Sequence, residues 1–96
     1  MATIVGLCTV DLQFPESGSL KTKRQTLKSV LARVRQQFNV SIAEVGHQDS
    51  WQLATIAMTC VSTDAAYIHG LFERAVRYID EGPFALVLLD YQTELL

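Results

Sequence analysis

Cysteine is scarce here: Cys8 and Cys60 are the only two, they stand far apart, and each lies inside an apolar, β-like run. They read as small buried thiols, and a zinc site lacks the further ligands it would need. Two prolines and five glycines form no tract, and neither does serine, so nothing looks like a linker. A chain of 96 residues has room for one core and not for two, and residues 1–96 read as a single domain. Long apolar runs are missing as well. Phe84 to Leu89 is among the longest and falls far short of the roughly 20 residues that cross a bilayer. Residues 1–10 have no basic stretch followed by a cleavable apolar segment, so the expectation is a cytoplasmic protein with no membrane partner.

Catalytic motifs are equally thin. There is no glycine-rich phosphate loop, no nucleophile elbow and no HxxxH-type ligand pair. Glu44, His47, Asp49 and His69 are the titratable groups that invite attention, but His47 and Asp49 come together only because they share one turn. The reading is a non-catalytic protein with no cofactor and no metal.

What is present is regular patterning. Residues 3–14 are rich in β-branched side chains, and Ile4, Cys8, Val10, Leu12 and Phe14 form an even-numbered apolar face, which predicts a strand. Pro15 to Ser19 is turn chemistry, and Ser19 is placed to cap a helix over 20–38. In that helix Leu27, Val30, Leu31, Val34 and Phe38 repeat at the helical period. Residues 40–46 and 51–61 read as two strands of a hairpin joined through His47 to Ser50, with Ala54, Ile56, Met58 and Cys60 on one face of the second. Ser62, Thr63 and Asp64 open a second helix, whose Ile68, Leu71, Phe72, Ala75, Val76 and Ile79 run until Gly82-Pro83 stops it. Residues 84–94 return to a strand.

The order is therefore βαββαβ. Right-handed crossovers put both helices on one face of a four-stranded antiparallel sheet of order 4-1-3-2, an α+β ferredoxin-like architecture. The other face is left open, and Val5, Leu7, Trp51, Leu53, Val87 and Leu89 are expected on it. An apolar patch there would suit a homo-oligomer or a small-ligand module packed through the sheet, as in ACT-like domains.

Charge is the least even feature. Lys21, Lys23, Arg24, Lys28, Arg33 and Arg35 are six of the eight basic residues, and the first helix holds no Asp or Glu in a chain of net charge −2. Lys21, Arg24, Lys28 and Arg35 fall within about 60° of one another on the helical wheel and form a row. Lys23 falls nearer the apolar stripe, at the helix mouth, and is counted with Lys21, Arg24, Lys28 and Arg35 as a nucleic-acid-binding residue. A basic row can neutralise successive phosphates without reading sequence, which makes structured RNA the expected partner. Base stacking on the sheet, as in RRM domains, would need a basic-aromatic run on the third strand, and WQLATIAMTC has none. Trp51 alone fits a packing anchor or a subunit contact better.

SLKTKR (19–24), FNVSIAEVG (38–46) and DSWQ (49–52) together resemble the motif blocks of the bacterial YlxP-like family of unknown function, and the resemblance runs along essentially the whole chain. It implies a ferredoxin-like fold. Because genes of that family often lie beside those for translation initiation and ribosome-maturation factors, it also implies a ribosome- or RNA-associated role. The family has no agreed active site, so Lys21, Lys23 and Arg24 carry over only as matches to its basic block.

Overall fold

The computed structural model describes residues 2–96. β1 (Ile4–Gln13) buries Cys8, Val10 and Leu12, with Phe14 just beyond its end, while its odd residues remain half-exposed. That two-residue alternation is what one covered and one open sheet face demand. α1 (Leu20–Gln37) starts where the extended Ser19 turns its Oγ to accept the Thr22 N–H at 3.1 Å, so the cap satisfies one of the helix's unpaired first-turn donors. Leu27, Val30 and Val34 are buried beneath it, with Leu31 and Phe38 packed at the margin of the core.

β2 (Ser41–Gly46) and β3 (Leu53–Ser62) form the hairpin. α2 (Ala65–Glu81) is capped by Asp64, whose carboxylate accepts from the N–H groups of Ala66 and Tyr67, and it ends at Gly82 ahead of Pro83. β4 (Val87–Leu95) completes a four-stranded sheet of order β2-β3-β1-β4, in which every neighbouring pair is antiparallel. This is the ferredoxin-like α+β fold that the element order predicts. α1 lies over the β2 side of the sheet and α2 over β4, β1 and β3. α2 can settle onto β1 because position 6 is glycine: a Cβ there would collide with Ile68 and stand 2.9 Å from the Phe72 ring.

Two strands begin later than the sequence pattern implies. Trp51 lies in the turn ahead of β3, which starts at Leu53, and residues 84–86 precede β4. Phe84 is held instead by edge-to-face contact with Tyr78, 6.2 Å between ring centres, and by the Arg33 guanidinium 5.6 Å above its ring.

The open sheet face departs further from expectation. Val5 pairs with Val61 at one end and Gln13 with both Leu53 and Val87 at the other, but between them Thr9 stands opposite Ala57 and Asp11 opposite both Thr55 and Asp90. The expected continuous patch of Val5, Leu7, Leu53, Val87 and Leu89 is thus divided by a polar centre, in which Thr55 Oγ1 donates to Asp11 Oδ1 at 2.8 Å. A register shift of β4 between Asp11 and Leu12 inserts Leu89 as an extra residue and brings Asp90 opposite Asp11, which simple alternation along β4 does not anticipate. Trp51 belongs to the hairpin turn rather than to the sheet, and 58% of it is exposed.

Candidate nucleic-acid interface

Helix periodicity sets which α1 cations reach solvent. Lys21, Arg24, Lys28 and Arg35 are all exposed and share one flank of the helix above the buried Leu27, Val30 and Val34 stripe. None of the four has a carboxylate within ion-pair distance among the described residues. Arg35 reaches across to the edge strand, where Nη2 donates to the Ile42 carbonyl at 2.9 Å. That contact occupies one acceptor on the edge of β2 and leaves the other guanidinium donors free.

Lys23 is a correction to the expected RNA-binding set. None of its surface is exposed, and it points under α1 into the hairpin. Its ammonium donates to the carbonyls of His47 at 2.8 Å and Leu53 at 2.9 Å, and it stands 3.3 Å from Glu44 Oε2. Two hydrogen bonds and an ion pair use the buried charge inside the protein, so no phosphate can reach it. The carbonyls it holds flank the β2–β3 turn. His47 takes the left-handed conformation at φ 57°, and its carbonyl also accepts the Ser50 N–H at 3.0 Å. Lys23 therefore ties the start of α1 to the hairpin.

The basic row overlooks a groove between α1 and β2. Arg24, Leu27, Lys28, Leu31 and Arg35 line it from the helix and Glu44 from the strand, around a volume of about 260 Å³. Glu44 is there because it pairs with Ile56 on the helix-covered side of the sheet, beside Lys23, and only 18% of its side chain is exposed. Its buried Oε2 has no hydrogen-bond partner among the described residues, since the Lys23 contact is an ion pair without hydrogen-bond geometry. Glu44 is the groove residue that sequence reasoning missed as part of this site. The available signal was its place in a strand next to a helix whose Lys23 falls on the apolar side.

The other titratable groups stay apart. His47 and Asp49 are both exposed in the turn and form no ion pair with each other, and His69 is exposed on α2. No group of three potential metal ligands occurs among the described residues. Burial raises the thiols of Cys8 and Cys60, partly offset at Cys8 by the Thr93 side chain, so both favour the protonated form. No helix among the described residues is long and apolar enough to cross a membrane.

Beyond this geometry, the sequence profile of a family described as "Protein of unknown function (DUF503)" matches residues 5–93. The chain belongs to the DUF503 family. A family relative, "Uncharacterized protein YlxP" of Bacillus subtilis (strain 168), is 36% identical over 80 residues, which cover 83% of this chain and 87% of the relative. The YlxP-like resemblance read from the sequence is thereby shown for this chain. Among solved structures, the de novo designed protein Foldit4 superposes with a TM-score of 0.55 at 16% identity, covering 99% of this chain and 97% of that one. At such identity the likeness speaks for the fold of this chain alone.

Proposed function

We propose that this DUF503 protein is a small non-catalytic accessory factor that docks α1 on structured RNA, ribosomal RNA above all, through Lys21, Arg24, Lys28 and Arg35. The observation that carries the reading is charge without partners. In a chain of net charge −2, four exposed cations line one helix flank and none has an intramolecular ion pair among the described residues. Unpaired cations on a rigid helix can displace the counterions condensed on a phosphate backbone, which favours binding by charge and shape over base sequence. Removing Lys23 from the set does not weaken the row. Its charge is neutralised by Glu44, so the surface field comes from the outer four residues.

The test is binding of the purified protein to ribosomal subunits and to isolated structured RNA. Binding that weakens with salt, and that is lost when Arg24 and Lys28 are both changed to Glu, supports the reading. Absence of binding, or binding indifferent to the charge reversal, removes it.

A further inference from the structure

We infer that the groove between α1 and β2 accepts one unpaired base bearing an exocyclic amine, such as cytosine, from the RNA held by the basic row, an inference that rests on that reading of the row. Besides pairing with the buried Lys23, Glu44 lines this groove together with Arg24, Lys28 and Arg35, which puts an acceptor among cations that suit phosphate. Lys23 offsets its charge, but a carboxylate oxygen can only accept hydrogen bonds and has nothing to donate to a phosphate, so the rim cations are left to hold the backbone on either side. The Lys23 ammonium that compensates Glu44 is buried and spent on the hairpin carbonyls, so the group offered to a ligand on the strand side is an acceptor.

The walls match a base as well. Leu31, half-buried at the groove wall, supplies apolar surface for a ring, and a groove of about 260 Å³ suits a single base rather than a duplex. A carboxylate accepts a hydrogen bond from the N4 amine of cytosine, whereas uracil presents an oxygen at the same position and is repelled. Cytidine and uridine are nearly isosteric, so the difference between them isolates the Glu44 contribution. Glu44 is also fixed in place, because Lys23 and the strand pairing opposite Ile56 hold it from behind and no rearrangement is needed on binding.

The experiment uses hairpin RNAs that differ at one position: a bulged cytidine, a bulged uridine, a bulged abasic residue, or no bulge. The expected order is cytidine tightest, by about tenfold over the abasic and unbulged hairpins, the size of a typical single-base contact. Uridine is expected to bind more weakly than cytidine. Leu31→Gln leaves the charge unchanged and should abolish the cytidine advantage while keeping unbulged binding. Equal binding of all four hairpins overturns the base pocket and leaves backbone docking intact. Cytidine and uridine binding alike overturns the role given to Glu44. Failure to bind any hairpin overturns the docking reading itself, and the pocket with it.

Discussion

Lys23 of α1 and Glu44 of β2 stand 3.3 Å apart beneath the helix, the lysine wholly buried and the glutamate side chain 18% exposed. The same ammonium holds the carbonyls of His47 and Leu53, so one side chain joins the first turns of α1 to both ends of the hairpin turn. Removing it leaves a largely buried carboxylate without its counter-charge, takes the ammonium from the Leu53 carbonyl and leaves the His47 carbonyl with only the Ser50 N–H. Lys23→Met should therefore destabilise the protein by about 3–5 kcal/mol, the range for breaking one side of a buried ion pair. Lys21→Met, two residues away on the exposed flank, should stay within about 0.5 kcal/mol. Urea unfolding of the two variants checks this, and equal stabilities would show that the buried ammonium has no structural role.

Most of the fold is legible in the sequence because each element carries its own period. The even face of β1 and the Ile68 to Ile79 stripe of α2 are buried as their spacing requires. The site is less legible. Lys21 and Lys23 are the same residue type within SLKTKR, separated only by Thr22, and the position of the hairpin carbonyls is what distinguishes the buried one from the exposed one. The late start of β4 and the extra residue at Leu89 are set by pairing with β1 and by the packing of Phe84 on Tyr78, both of which are tertiary.

Gly6 should tolerate no side chain. A methyl group there meets Ile68 and Phe72 of α2 at fully buried positions, so Gly6→Ala must push the helix off β1. The expected cost is about 1–3 kcal/mol from overpacking. Gly18 is the control: a Cβ at that position would meet nothing within 4 Å, and Gly18→Ala should change stability little. Thermal unfolding of both variants reads the difference.

The two cysteines make stability fall on the alkaline side. In the folded protein both thiols titrate above their ordinary value of 9.0, because burial disfavours the thiolate. Above that value the unfolded chain has released protons that the folded chain still holds, so rising pH favours unfolding; below it the contribution is fully present. Replacing Cys8 and Cys60 together by Ala should flatten the decline of stability above pH 9.0 in denaturant titrations. The wild-type thiols should also resist a thiol reagent near neutral pH until denaturant is added.

The open sheet face should not drive self-association. Packing two copies over it would bury Asp11 and Asp90, which stand opposite each other on β1 and β4, together with the Thr55 hydroxyl bound to Asp11. Adjacent like charges taken out of water cost more than the divided apolar ends can return. Light scattering at high concentration should give a monomer mass. A dimer that dissociates when Leu7 is changed to Lys would show instead that the sheet face is an interface.

The role assigned to the basic row is tested most directly by the salt dependence of RNA binding. Four cations engaging phosphate give a slope of about −3 in log affinity against log salt, and replacing Arg24 and Lys28 by Ala should bring it to about −1.5. A slope near zero, or one that the double replacement leaves unchanged, would contradict α1 as the RNA-binding surface.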